Sequence, residues 1–333
     1  MNRVRVACVG FVFDSAAEAV IRQVAPKIFD LTFAEQPERL TAEALAASDM
    51  LLTVAPLTDA MMHAAPRLRL IQKWGSGYEK IDVAAAGRHG IAVAITSGAN
   101  ADTVAEHAVA LMLAVMRRVT LADRAVREGR WIPAELRPIS RKLFGKTVGI
   151  VGFGNIGQAL ARQLRGFSTS NLYFKRGGRL ANEATLNATF VDLPELLARS
   201  DVVSLHCPGG AENRRMIGRA ELAQMKPGAY LINTARGELV VEEELIEALQ
   251  HGRLGGAGLD VYAVEPLPPG SPLRGLDNVV LTPHSAGSHM DDIALMANHA
   301  FENMLAFLEG KPIRAADVIV APERPRAAIE VRP

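Results

Sequence analysis

The spacing Gly152-Phe-Gly154-Asn-Ile-Gly157 points to a definite chemistry. It follows the apolar run Val148–Val151 and opens a helical pattern over Gln158–Leu164. In that order the first glycine makes a tight turn, and the second lets backbone amides approach a pyrophosphate. The third lets helix and strand pack closely. The helix N-terminus adds a field that favours negative charge. Gly152, Gly154 and Gly157 are therefore candidate dinucleotide contacts. A glycine-rich strand–helix turn without a ligand is the weaker alternative, because strand, glycines and helix occur in sequence within one unit.

A dinucleotide fold of the NAD type places an acid about 20 residues further on, against the ribose 2′-hydroxyl. Here the strand-like run ending at Phe174 leads into Lys175-Arg176, with Arg179 close behind and no acid at the strand end. A carboxylate there would repel a 2′-phosphate, whereas arginine pairs with one through two parallel hydrogen bonds. NADP(H) is thus favoured over NAD(H), with a solvated basic loop as the competing reading. No metal is expected. Cys8 and Cys207 lie far apart without a CxxC pattern, and neither His206-Cys207 nor His284 with His289 has further ligands at metal spacing.

The elements that must position these groups alternate in type. Val4–Val9, Met50–Val54, Leu68–Ile71 and Ile91–Ala94 read as strands, separated by the helical stretches Glu18–Val24, Thr41–Ala47 and Val83–Arg88. A second alternation begins at Lys146. It runs through the strands Thr147–Val151, Leu172–Phe174, Val202–His206, Tyr230–Asn233, Gly256–Val261 and Asn278–Leu281. Between them lie the helices Pro194–Arg199, Arg219–Met225 and Glu242–Gln250. This rhythm predicts parallel sheets covered by helices on both faces. Thr103–Val119 and Met290–Leu308 read as long helices, the latter stopped by Gly310 and Pro312. Residues 120–145, polar and carrying Trp131, Pro133 and Pro138, read as an extended arm, and Ala321–Pro333 as a frayed tail.

Composition sets the outer limits. The 333 residues suffice for roughly two domains, and 49% apolar with 22% charged residues excludes a disordered or fibrous chain. A net charge of +1 supplies no overall field for a nucleic acid or an anionic membrane. The apolar N-terminal stretch up to Phe13 meets Asp14 and reads as a buried strand rather than a signal peptide. With two unpaired cysteines, this points to a reducing, cytoplasmic setting.

Several segments together resemble the D-isomer-specific 2-hydroxyacid dehydrogenases, a family that includes glyoxylate/hydroxypyruvate reductases and phosphoglycerate dehydrogenases. They are Gly75-Ser-Gly77, Thr103-Val-Ala-Glu106-His, Gly149–Gly157, Ser204-Leu-His-Cys-Pro208, Ile232-Asn-Thr-Ala-Arg-Gly237, Gly258-Leu-Asp-Val-Tyr-Ala-Val-Glu-Pro266 and Thr282-Pro-His-Ser-Ala-Gly287. The resemblance implies two Rossmann-like doubly wound α/β domains. A discontinuous substrate domain (1–99 with 288–333) would carry the inserted dinucleotide-binding domain (100–287), and the cleft between them would close on the substrate. It also implies a homodimer built on the helix at 103–119 and the following arm.

The resemblance further implies a catalytic trio, Arg236, Glu265 and His284, and the residue types suit the reaction. Reducing a 2-keto acid takes a hydride, a cation for the carboxylate and a proton for the developing alkoxide. Arginine offers a planar fork. Histidine exchanges a proton near neutral pH. A neighbouring carboxylate orients the ring and favours its charged form. Ser76 and Gly77 would offer backbone amides to the substrate carboxylate. Asn155 and Ile156 would lie along the pyrophosphate, and Thr103, Cys207, Pro208, Thr234, Ala235 and Asp260, with His284 itself, would line the cofactor. Glu79-Lys80 replaces a common Asp-Asn pair, and Lys73-Trp74 precedes the glycine turn. Lys73 is a candidate for a substrate phosphate or simply a solvated cation. The expected activity is hydride transfer between NAD(P)H and a small 2-keto or D-2-hydroxy acid, glyoxylate or hydroxypyruvate first. The alternatives are a phosphoglycerate-type dehydrogenase and a non-catalytic dinucleotide-sensing protein of the same fold.

Overall fold

The computed structural model describes residues 3–10, 15–34, 42–181 and 183–329. Thr41, at the start of an expected helix, and the last four residues of the tail lie outside them. The chain divides into two compact units, Met1–Asn100 with His289–Pro333, and Ala101–Ser288.

The first unit runs β1 (Val4–Val9), α1 (Ser15–Val24), β2 (Phe29–Ala34), α2 (Ala42–Ala47), β3 (Met50–Thr53), α3 (Asp59–His63), β4 (Leu70–Lys73), α4 (Val83–Arg88) and β5 (Ala92–Ala94). The second contains α5 (Ala101–Met116), α6 (Val119–Arg127), α7 (Pro133–Ile139), β6 (Thr147–Val151), α8 (Asn155–Gln163), β7 (Ser170–Phe174), β8 (Ala188–Phe190) and α9 (Leu193–Arg199). It continues through β9 (Val202–Leu205), α10 (Arg219–Gln224), β10 (Tyr230–Asn233), α11 (Glu242–Gln250), β11 (Gly256–Leu259) and β12 (Val279–Leu281). The chain then returns to the first unit with α12 (Ile293–Leu308) and β13 (Val318–Val320).

The second unit's seven strands lie in the order β12-β11-β10-β9-β6-β7-β8, all parallel. Helices on both faces explain why β6, β9, β10 and β11 are almost wholly buried and nearly continuous in apolar residues. The first unit's order is β13-β5-β4-β3-β1-β2, parallel except for β13, which pairs antiparallel to β5. The strand order in the second unit places the carboxyl ends of β6, β9, β10, β11 and β12 along one edge, where doubly wound sheets bind ligands.

Three differences from the sequence expectations have physical causes. Residues 120–145 are largely helical rather than an extended arm. Pro133 starts α7, where its missing N–H costs no hydrogen bond, and a left-handed Arg118 (φ 55°) separates α5 from α6. The short edge strands β2, β8 and β13 escape a pattern search because an edge needs no continuous apolar run. The tail is docked through residue 327. The Arg326 guanidinium donates to the carbonyls of Leu68 (3.0 Å) and His89 (2.7 Å), and Arg69 donates to Ala327 O (2.5 Å).

Candidate active site

The glycine turn is built by close approach. Gly152 has φ +93°, and a Cβ there would lie 2.5 Å from the Cys207 nitrogen; one at Gly157 would lie 2.3 Å from the Gly152 carbonyl oxygen. Any side chain at either place would force the turn off β9 or the helix off the strand. At Gly154 the same construction meets nothing within 4 Å, so the backbone is open to an approaching group. No side chain caps the start of α8, which leaves an anion-favouring helix end. Phe153, buried, stacks on Tyr173 with ring centroids 4.0 Å apart and pins the turn to β7. Thr234, just past β10, keeps a buried hydroxyl oxygen with no hydrogen-bond partner among the described residues. An open glycine backbone, an uncapped helix start and an orphaned hydroxyl together fit a pyrophosphate-bearing dinucleotide.

The basic cluster begins directly beside this turn, since Gly152 N donates to Phe174 O (2.9 Å) at the end of β7. Lys175 is half-buried, with its ammonium turned over Gly177. Arg176 is latched to Glu212 and Asn213, and Arg179 pairs with Glu183 at 2.6 Å. Two of the three cations singled out from sequence thus already hold carboxylates. The signal missed was the acid at position 212, distant in sequence.

Behind the turn, Cys207 is half-buried, and burial pushes its thiol up to about 11, which leaves it unreactive as a nucleophile at neutral pH. Pro208 O accepts from Asn213 Nδ2 (2.8 Å). His206 is driven down to about 3 by burial and is neutral; its Nε2 lies 2.8 Å from Ser204 Oγ. Thr103 sits half-buried in the first turn of α5, beside Asp102, which is tied to α8 through Arg162 (3.1 Å) and Gln163 (2.8 Å).

Arg236, Glu265 and His284 follow the carboxyl ends of three neighbouring strands, β10, β11 and β12, whose last residues Asn233, Leu259 and Leu281 are in register. Asn233, buried, clasps the turn after β10. Its Nδ2 donates to Arg236 O (2.9 Å), and its Oδ1 accepts from Ala235 N (3.0 Å). Gly237 packs directly on the turn after β11, where a Cβ would lie 1.9 Å from Tyr262 O. From that same turn Tyr262 N donates to Glu265 Oε1 (3.1 Å). The other carboxylate oxygen, Oε2, lies 2.8 Å from His284 Nδ1. An ionised carboxylate only accepts, so Nδ1 carries the hydrogen in this pair and Nε2 takes no part in it. The His284 side chain is half-exposed.

Asp260 is fully buried. Its Oδ1 accepts from Thr282 Oγ1 (2.6 Å) and Ser285 N (2.9 Å), and its Oδ2 from Ala286 N (2.9 Å). His284 N donates to Asp260 O (2.8 Å), and the residue is held at φ 53°. His107 Nε2 lies 3.0 Å from the Thr282 hydroxyl and 3.6 Å from Asp260 Oδ1. Tyr262 O–H closes the same corner by donating to Thr282 O (2.8 Å); burial, then the charge of Asp260, pushes that phenol up to about 12. The Asp260 carboxylate is thus engaged by the loop that carries His284, an arrangement that no local spacing could reveal.

In the first unit, Ser76 is exposed and Gly77 half-buried in the turn after β4. The turn is fixed where Gly75 N donates to Thr96 Oγ1 (2.7 Å), and the Lys73 ammonium donates to Trp74 O (2.6 Å). Among the described residues no three His, Cys, Asp or Glu side chains are grouped to hold a metal ion.

A model of the NAD binding domain of D-isomer specific 2-hydroxyacid dehydrogenases matches residues 109–286. A glyoxylate reductase of Korarchaeum cryptofilum is 42% identical over 262 residues, 78% of this chain and 79% of that protein. A D-3-phosphoglycerate dehydrogenase of Archaeoglobus fulgidus is 37% identical over 256 residues, 77% of this chain but 48% of that protein. Among solved structures, an NAD-dependent formate dehydrogenase from Staphylococcus aureus in complex with NAD is 27% identical. It has a TM-score of 0.82 over 96% of this chain and 99% of that one.

Proposed function

The chain belongs to the D-isomer-specific 2-hydroxyacid dehydrogenases, NAD(P)-dependent oxidoreductases that interconvert 2-keto and 2-hydroxy acids, and on that premise we propose that it reduces glyoxylate or hydroxypyruvate. The observation that carries this reading is the 2.8 Å contact between Glu265 and His284, beside the turn that holds Arg236. Arg236 is assigned to the substrate carboxylate and carbonyl oxygen, where a planar guanidinium gives paired hydrogen bonds. His284 delivers the proton to the carbonyl oxygen from Nε2. Glu265 fixes the ring through Nδ1 and stabilises positive charge on it. The nicotinamide cofactor, when bound, supplies the hydride. Ser76 and Gly77 are assigned to the substrate carboxylate through backbone amides, which gives the unit Met1–Asn100 with His289–Pro333 the substrate-binding role. The unit Ala101–Ser288 takes the dinucleotide through Gly152, Gly154, Asn155, Ile156 and Gly157.

The cofactor is assigned as NADP(H) in preference to NAD(H), because β7 is followed by Lys175-Arg176 with no acid at the strand end to receive a 2′-hydroxyl. A homodimer formed through α6 and α7 is supported by the exposed apolar side chains Val126, Trp131 (82% exposed) and Phe144 on that arm. Cytoplasmic residence is supported by two free cysteines, and among the described residues no helix is long and apolar enough to cross a membrane.

The deciding experiment is a panel of 2-keto acids assayed with NADH and NADPH in parallel. Glyoxylate or hydroxypyruvate should head the panel with NADPH. The Archaeoglobus relative keeps a second reading open, oxidation of 3-phosphoglycerate, with Lys73 as the cation for a substrate phosphate. Lys73 already donates to Trp74 O, which weighs against that role. A non-catalytic sensor could dispense with the Glu265–His284 pair, and formate oxidation would leave its proton-donating histidine without a carbonyl to protonate.

A further inference from the structure

We propose that Glu212 is a specificity-determining residue, its carboxylate competing with the 2′-phosphate of NADP(H) for Arg176. The inference rests on the nucleotide reading above and adds a residue outside the glycine turn and the strand end. Arg176 is rooted next to the glycine turn, two residues past Phe174, whose carbonyl accepts from Gly152 N. Its Nη1 pairs with the Glu212 carboxylate, and its Nη2 donates to Glu212 O (2.8 Å) and to Asn213 Oδ1. Asn213 is itself buried and anchored to Pro208 O (2.8 Å). The guanidinium therefore latches the loop after β7 to the loop after β9, with both terminal nitrogens engaged.

The three cations of this region differ in how freely they can change partner. Arg179 pairs with Glu183, and that carboxylate is largely buried (17% exposed) and held by the Tyr173 hydroxyl at 2.9 Å. The Glu212 side chain is 81% exposed and that of Arg176 52%, so their charge pairing is screened by water and opens at small cost. A ribose 2′-hydroxyl carries no charge and does not contend for the guanidinium. A 2′-phosphate must take Arg176 from Glu212 and then tolerate that carboxylate nearby. The acid therefore weighs against NADP(H) and leaves NAD(H) untouched. A screened ion pair is worth up to about fivefold in affinity. Removing a like charge at about 7 Å in water adds a further factor of about two to three.

The test is calorimetric titration of the full chain with NADP⁺ and with NAD⁺, for the wild type, E212Q, R176A and the double variant, with thermal melts as the check on folding. E212Q should tighten NADP⁺ by about three- to tenfold and leave NAD⁺ unchanged, and the gain should vanish in the R176A background. The KM for NADPH relative to NADH should move in the same direction. An unchanged or weakened NADP⁺ affinity in E212Q, or an equal shift for both nucleotides, overturns the proposal. Tighter NAD⁺ than NADP⁺ binding by the wild type overturns only the assigned cofactor preference, because the E212Q shift is read against the wild type. Binding of neither nucleotide overturns both.

Discussion

Replacing Asp260 by Asn removes one charge from a fully buried carboxylate whose two oxygens accept three hydrogen bonds. If the new amide keeps its oxygen at the Oδ1 position, the bonds from Thr282 Oγ1 and Ser285 N survive but lose their charge assistance, at about 1 kcal/mol each. The amide nitrogen then faces the Ala286 N–H, donor against donor, and that buried N–H is left unsatisfied at a cost of about 1–3 kcal/mol. The opposite flip sets the Ser285 N–H against the nitrogen, while the Thr282 hydroxyl can turn to accept from it, so the cost is of the same order. The sum is about 3–5 kcal/mol out of a total stability of about 5–15 kcal/mol. The loss falls on the segment 282–286, which holds His284 in its left-handed conformation. D260N should therefore lower the urea midpoint with little change in slope, and lower kcat by at least about tenfold. Urea unfolding followed by circular dichroism, with steady-state kinetics on the same preparation, measures both. A D260N protein with wild-type stability and wild-type kcat would refute the claim that this carboxylate holds the His284 loop.

Two further outcomes follow from other parts of the molecule. Burial works to raise the Asp317 carboxyl, but hydrogen bonds from His299, Arg314 and Ser97 N–H outweigh it and hold it below the usual range. Its contribution is therefore present above pH about 4 and is lost as the pH falls through the depressed value. D317N should flatten the melting temperature of the protein between pH about 5 and 3, and an unaltered slope in thermal melts would contradict this. Trp131→Glu, which adds a charge to the exposed apolar face of the α6–α7 arm, should shift the mass seen by light scattering from dimer towards monomer. A monomeric wild type, or a variant of unchanged mass, would remove that arm as the interface.

What could be read from the chain depended on how local the physics was. Tyr230–Asn233 and Glu242–Gln250 are delimited from sequence to the residue, because a buried parallel strand reads as a short apolar run and an amphipathic helix carries its own period. The glycine turn was legible for the same reason, since each glycine answers a local steric demand. Edge strands β2, β8 and β13 were not, nor was the docking of Arg326 onto carbonyls some 240–260 positions away in sequence. The candidate site divides in the same way. The residues Arg236, Glu265 and His284 could be singled out by type and motif, and the positions they take after three adjacent strands follow from the strand order. The long-range partners of the surrounding loops could not be read from spacing: Thr282 and His107 around Asp260, and Glu212 on Arg176. Each is defined by a partner brought close only by folding.

The imidazole of His284, oriented by Glu265, is the proposed proton donor, and one comparison isolates its part in turnover. Wild-type and His284→Ala proteins are titrated with NADPH by fluorescence and then mixed with glyoxylate under saturating conditions. With NADPH at saturation as judged from each protein's own titration, turnover in the variant should be about 10²–10⁴-fold lower. Turnover near that of the wild type would contradict the assignment of His284 as the proton donor.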